Sequence, residues 1–409
     1  MDSHFDEADV RLRPSPVPGV SRNVFVLGLV SLANDIASEM LYPLIPIFLT
    51  VTLGTPVAFL GLIEGIAEGT ASLMKVVSGW YSDKLAARRP LVAVGYGLSV
   101  IGKLLLATAF HWPQVLVART ADRFGKGVRT SPRDALIADS TPPESYGRAF
   151  GFHRAADTTG AVLGPLIGLA ILAVIGQQHL RPVFLLAVIP GVLSLFLIAL
   201  VREGRRAPSP QQSIGKGGID LSGAPPVFWM FLAISLLFGL GNSSDTFLIL
   251  RAHDLGLGLT IVILMYVLYN AAYSLLSLPA GIVADKLSKR RLVTGGFLVY
   301  GFVYLGFALA GEGSMLWPLF AVYGVYMALT DGMARALIAE LAPAERRGTF
   351  LGLYHTGIGL MAVLASVIAG VLWQAVGQPA PFWLGASTGF AAAALMLLLP
   401  KRHPVRQAA

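Results

Sequence analysis

The chain has 409 residues, 55% of them hydrophobic and 13% charged, no cysteine, and a formal net charge of +8. Soluble domains are about 25% charged, so a water-soluble globule is excluded, and the missing cysteine excludes disulfides, thiolate metal sites and cysteine nucleophiles. The positive charge does not indicate nucleic acid, because the basic residues sit in short loops between apolar runs, where the positive-inside rule places them.

The first stretch, 1–22, has no apolar run behind a basic start and reads as a cytoplasmic tail, not a cleavable signal. Apolar length and Gly, Pro and charge punctuation then mark twelve membrane spans. Six lie at 23–49, 56–80, 90–111, 113–137, 147–175 and 181–202, forming a bundle over 23–202. Six more lie at 226–250, 259–283, 292–311, 315–339, 348–375 and 381–400, forming a bundle over 226–400. Between them 203–225, rich in Pro, Gly and Ser, reads as a cytoplasmic linker, and 401–409 as a second tail. Lys and Arg crowd the loops after even-numbered spans, which predicts a multi-pass inner-membrane protein with both termini in the cytoplasm. The fold class expected is all-α: twelve transmembrane helices in two pseudo-symmetric bundles.

Taken in chain order, the intramembrane polar residues begin with Asn34, Asp35 and Glu39 on span one, then Glu64 and Glu68 on span two. Span four carries Arg119, Asp122, Arg123 and Lys126 at i, i+3, i+4 and i+7, which is one stripe of a helix. Span five carries Arg154 and Asp157. A charge at mid-bilayer costs at least about 2.5 kcal/mol, so the stripe must face water or counter-charges. One reading is a set of structural ion pairs. The other is a polar cavity where a carboxylate gains and loses a proton as the protein changes face. Asp35, near mid-span, is the first candidate, followed by Asp122, Glu39 and Glu68. Arg119, Arg123, Lys126, Arg154 and Asp157 form the surrounding charge network.

The second bundle is sparser. Asn242 and Asp245 are expected on one face of span seven, and Asp331 and Arg335 on one face of span ten. Asp245 is either a further proton or cation site or a hydrogen-bond partner of Asn270 or Tyr273. Asn34, Asn242, Tyr269, Asn270 and Tyr273 are the candidate substrate contacts, so coupling is expected in the first bundle and pocket shaping in the second. His153 and His355 fall at nearly corresponding places and are weak candidates for metal ligands beside the reading as neutral, hydrogen-bonded side chains. No resident metal or cofactor is expected.

Two segment pairs reveal an internal duplication. "ALIADSTPPESYGRAFGF" (135–152) aligns with "ALIAELAPAERRGTFLGL" (336–353), and "GWYSDKLAARR" (79–89) with "GIVADKLSKRR" (281–291). Asp83, at the end of span two, is placed to meet a helix N-terminus or an arginine as a latch, together with Lys84 and Arg88; Asp285 is its counterpart. Gly160, Gly164 and Gly168 recur every fourth residue beside Pro165, a groove expected to form a sliding contact between the halves.

Three of these stretches resemble signatures of the major facilitator superfamily, and the resemblance covers essentially the whole chain. They are Gly79, Asp83, Lys84, Arg88 and Arg89; Arg119, Asp122, Arg123, Gly125 and Gly127; and the antiporter-type Gly160, Gly164, Pro165 and Gly168. "DRFGKGVRTSPRDALIAD" is similar to drug and nickel-resistance exporters of bacteria and archaea. The resemblance implies a monomeric secondary transporter working by alternating access, not an enzyme. A proton-coupled exporter of small organic compounds is the first expectation. A nickel exporter of the same fold and an uptake symporter are the alternatives.

Overall fold

A computed structural model describes residues 15–45, 48–55, 58–85, 87–176, 179–203, 221 and 224–400. Most of the tails and linker read from the sequence (1–14, 204–220 and 401–409) lies outside these. Among the described residues there is no β-strand. The first bundle comprises α1 (Arg22–Glu39), α2 (Ala58–Leu85), α3 (Arg89–Ala107), α4 (Trp112–Asp139), α5 (Tyr146–Ile175), and α6 (Leu180–Leu186) continued by α7 (Val188–Ile198). The second comprises α8 (Pro226–Gly241) continued by α9 (Thr246–Asp254), α10 (Leu259–Lys286), α11 (Lys289–Leu309), α12 (Leu316–Leu341), α13 (Arg347–Ala375) and α14 (Ala380–Leu398).

The helix limits follow local chemistry. The Ser21 hydroxyl accepts the Val24 N–H and starts α1. Prolines enter the first turns of α3, α4, α8 and α14, where the absent N–H costs nothing. Gly176, with φ 94°, ends α5 in a conformation that a side chain resists. Three predicted spans are less regular than expected. Span one leaves α-geometry after Glu39 for 3-10 and π turns, because Pro43 cannot continue the ladder. Span six breaks at Ala187, three residues before Pro190. Span seven breaks between Gly241 and Thr246 and turns there through Asp245.

Among the described residues, nine helical stretches are long and apolar enough to cross a bilayer. The 28-residue α2 and α4 have the length but carry the charges, and α8 is a shorter apolar helix of 16 residues. Packing repeats between the bundles. α2 and α3 flank α4 as α10 and α11 flank α12, and α1 lies on α5 and α7 as α8 lies on α13 and α14. The bundles meet where α2 crosses α13 and α5 crosses α10. Outward side chains such as Val174, Leu275, Phe196 and Leu397 are 70–86% exposed, which suits a lipid-facing rim.

Candidate functional site

At one end the bundles are joined twice by the same device. Asp83 accepts the backbone N–H groups of Gly348 (3.2 Å) and Thr349 (2.7 Å) and the Thr349 hydroxyl (2.8 Å). A carboxylate of the first bundle thus caps the positive end of α13 in the second. Asp285 does the same to α5 through the N–H groups of Gly147 (2.7 Å) and Arg148 (2.8 Å). The helices approach this closely because glycine lines both crossings. A Cβ on Gly79 would lie 2.1 Å from the Gly348 carbonyl oxygen, and one on Gly281 2.2 Å from that of Gly147.

Arginine completes the first junction. Arg88, fully buried, pairs with Asp83 (2.9 Å) and Asp139 (2.7 Å), while Arg347 holds the other Asp139 oxygen at 3.1 Å. In the second junction the equivalent work falls to Lys289, one position earlier than the repeat alignment implies. It reaches Asp285 at 3.8 Å and Glu340 at 3.2 Å. Arg290 instead donates to the Met396 (2.6 Å) and Leu397 (2.9 Å) carbonyls.

Further into the membrane, the span-four stripe meets the carboxylates expected from span two. Arg119 grips Glu64 with two hydrogen bonds of 2.9 and 2.8 Å, and Arg123 Nε lies 3.0 Å from Glu68. Asp122 is held by Lys103 at 3.4 Å and Arg119 at 3.8 Å. Glu39, Tyr42, Lys103, Arg119, Asp122 and Arg123 border a small open cleft. These charges face a hollow and one another, not acyl chains.

A second network crosses between the bundles. Arg133 donates to Asp134 (3.0 Å), which also meets His355 Nε2 at 2.9 Å and Arg335 Nε at 3.7 Å from the second bundle. Arg335 pairs with Asp331 at 2.8 Å, and the Tyr273 hydroxyl donates to the same carboxylate at 2.5 Å. Arg154 bridges Asp331 to Asp157. Asp157 lies one turn from Gly160, on which Asp35 packs, and Asp35 accepts the Asn34 amide at 3.3 Å. A continuous polar chain therefore runs from Asp157 across the seam to Asp134.

A family model described as Major Facilitator Superfamily matches residues 27–252 and 244–409. The chain belongs to the major facilitator superfamily. An MFS-type transporter of Methanocaldococcus jannaschii is 37% identical over 87% of this chain and 89% of its own. The multidrug resistance protein MdtH of Cronobacter sakazakii is 24% identical, covering 82% of this chain and 83% of its own. In three dimensions the E. coli fucose:proton symporter FucP superposes with a TM-score of 0.76 at 14% identity, over 93% of this chain and 98% of that one. The protein is thus a multi-pass MFS transporter, of a family that carries small molecules and not of enzymes.

Several expectations for this MFS transporter are corrected by its geometry. The glycine groove of α5 does not lie between the halves. Gly160 packs on Asp35 and Ile36, Gly164 on Glu39 and Met40, and Gly168 on Met40, all on α1 of the same bundle. Small residues demand a close neighbour but do not name it. Lys84 takes no part in the junction, since its ammonium lies over the Trp80 ring at 4.0 Å. Asp245 bonds to neither Asn270 nor Tyr273. It accepts the Tyr269 (2.9 Å) and Tyr323 (2.7 Å) hydroxyls, because the break in span seven turns it toward α10 and α12. Asn270 donates to its own helix at the Tyr266 carbonyl (3.0 Å), and Asn242 to the Tyr326 hydroxyl at 3.3 Å. His153 and His355 do not share a site: His153 bonds Ser31 at 2.8 Å, and His355 bonds Asp134. Among the described residues no group of three or more His, Asp or Glu side chains could hold a metal ion.

Sequence reasoning passed over Asp134, Asp331, Arg335 and Asp139 as site residues. Asp134 and Asp139 share the helix that drew attention through Arg119, but the partners that carry them across the seam, Arg335, His355 and Arg347, lie 201–221 residues away in sequence. The duplication at 135–152 and 336–353 was the available signal, since it places the ends of spans four and ten opposite one another.

Proposed function

We propose that this MFS transporter is a proton-coupled exporter of small organic compounds that works by alternating access. In this reading it sits in the inner membrane with the 1–22 and 401–409 tails and the 203–225 linker in the cytoplasm. The bundles 23–202 and 226–400 rock about the central hollow, and the junctions at Asp83, Arg88 and Asp285 close its cytoplasmic side.

The observation that carries the coupling is Arg154, which bridges Asp157 of its own helix to Asp331 of the other bundle beside Asp35. In this reading Asp35 and Asp157 share one proton, as strongly interacting carboxyl groups do. Losing that proton sets two negative charges side by side in a poorly solvated place. Arg154 is the nearest relief, but it also serves Asp331 of the other bundle. Deprotonation therefore draws Arg154 toward the α5 side and weakens an ion pair that crosses the seam. Proton loss and bundle separation share one guanidinium. Glu39, Asp122 and Glu68 supply the polar route between this pair and the open cleft, and Asp245 serves the second bundle as a hydrogen-bond hub.

Export, not uptake, is supported by the likeness to MdtH and by the antiporter-type glycine pattern of span five; the FucP likeness extends only to the fold. The test is transport in proteoliposomes under an imposed pH gradient, screening dyes, drugs and Ni²⁺ with the parent protein and Asp35→Asn. The parent is expected to accumulate organic substrate against its gradient, and the variant to equilibrate it only. Flux that ignores the pH gradient in both proteins would remove the coupling claim.

A further inference from the structure

Most cations around the hollow are already committed. Arg119 holds Glu64, Arg123 holds Glu68, Arg133 holds Asp134, and Arg154 and Arg335 share Asp331. Two lysines are different. Lys75 on α2 and Lys126 on α4 are described throughout, yet neither ammonium has a hydrogen bond or an ion pair, and neither is sealed away from solvent.

They lie on adjoining turns, where Gly127 of α4 packs on Ala71 and Met74 of α2, among charged side chains and not in lipid. Lys126 has Arg123, Glu68, Asp35 and Arg129 as its charged neighbours, and Lys75 has Lys126, Glu68, Arg335 and Arg123. The Lys75 backbone is pinned at the sealed floor, where its carbonyl accepts the Ser131 hydroxyl at 2.7 Å and Gly352 of α13 packs on it. Nearby, Arg335 Nε is buried without a hydrogen bond, its closest carboxylate being Asp134 at 3.7 Å. The carboxylate nearest both lysines, Glu68, is already paired with Arg123, so the two like charges lack a carboxylate of their own. A cleft with low-dielectric walls concentrates such a field and attracts ions of opposite sign.

We infer that the transported substrate is a small organic anion, a carboxylate, sulfonate or phosphonate, whose acidic group sits between Lys75 and Lys126 near Arg335. This rests on the alternating-access reading above and narrows its substrate class. Because Lys75 and Lys126 belong to one bundle and Arg335 to the other, such an anion touches both moving bodies. A quaternary ammonium or Ni²⁺ would meet the same field as repulsion.

The test begins with thermal unfolding of the purified full-length protein. The panel pairs aromatic carboxylates, sulfonates and phosphonates with aromatic quaternary ammonium compounds of matched ring size and with NiCl₂. The anions are expected to raise the melting temperature and the cations to leave it unchanged. Lys75→Gln and Lys126→Gln should each weaken anion affinity by about tenfold, the size of one charge-assisted contact, while Lys126→Arg keeps it. Counterflow of a labelled aromatic carboxylate in proteoliposomes without a pH gradient then checks transport independently of coupling. Stabilisation by the cations alone, no shift with any anion, or unchanged anion affinity in both Gln variants would overturn the assignment. Proton-driven, Asp35-dependent transport of a cation would leave the coupling proposal standing while sinking this one; anion counterflow indifferent to pH would do the reverse.

Discussion

The two bundles share helix order and packing partners but fill their interiors differently. In the first, α4 and α2 spend their length on charge: Arg119 with Glu64, Arg123 with Glu68, and Asp122 with Lys103. In the second, the matching space is filled by rings. Tyr300 stacks on Tyr304 at 4.0 Å and Phe238 on Phe297 at 4.3 Å, while Tyr269, Tyr323 and Tyr326 meet at 5.2–5.4 Å. Asp245 lies among them, and two tyrosine hydroxyls satisfy it. Ion pairs can be remade with water or another partner when a cavity opens; packed rings resist such exchange. The comparison therefore assigns the changeable chemistry to one bundle and a stiff frame to the other.

The sharpest way to break that contrast is at the seam. Asp134→Ala strands Arg133 and takes one of two carboxylates from Arg335, and removing one partner of a buried pair costs about 3–5 kcal/mol. A large fall in melting temperature is expected, whereas a near-parental melt would show the network to be idle. Next, Asp35→Asn should slow gradient-driven transport by about 100-fold, or about 2.7 kcal/mol. Asp245→Asn should cost less than about tenfold by the same assay; the reverse ranking would move the coupling to the aromatic bundle. A smaller change is expected from Asp83→Ala with Asp285→Ala, since each lost cap is worth about 1 kcal/mol. The chain lacks cysteine, so spin labels at Lys84→Cys and Glu345→Cys report the junction cleanly, and their distance distribution should shift to longer values. The mildest is Tyr323→Phe, which removes one of two donors to Asp245 and should lower stability by about 1 kcal/mol without changing the proton dependence of transport.

The fold was legible because apolar length and basic loops are local signals. So was the Asp83 junction, because a carboxylate at a helix end next to a basic pair has few uses. The Arg119–Glu64 and Arg123–Glu68 pairs were half legible: i, i+4 spacing put both acids on one face of span two and both arginines on one face of span four. What escaped the sequence depended on partners chosen by tertiary packing. The α5 glycines announced a close neighbour but not α1. Asn242 and Asp245 share a helical face only if span seven is continuous, and it is not. Asp134 finds His355 across the seam, 221 residues away, and no local spacing encodes that meeting.

The twin aspartate junctions have a consequence for how such a molecule can open. Each ties a helix start in one rigid body to a helix end in the other, and the crossings are so tight that no side chain fits between them. Tilting the bodies apart must release both ties in the same movement, like a door held by two bolts on one bar. The closed face should then behave as a toggle with no stable half-open position, which is what keeps a carrier from becoming a leak.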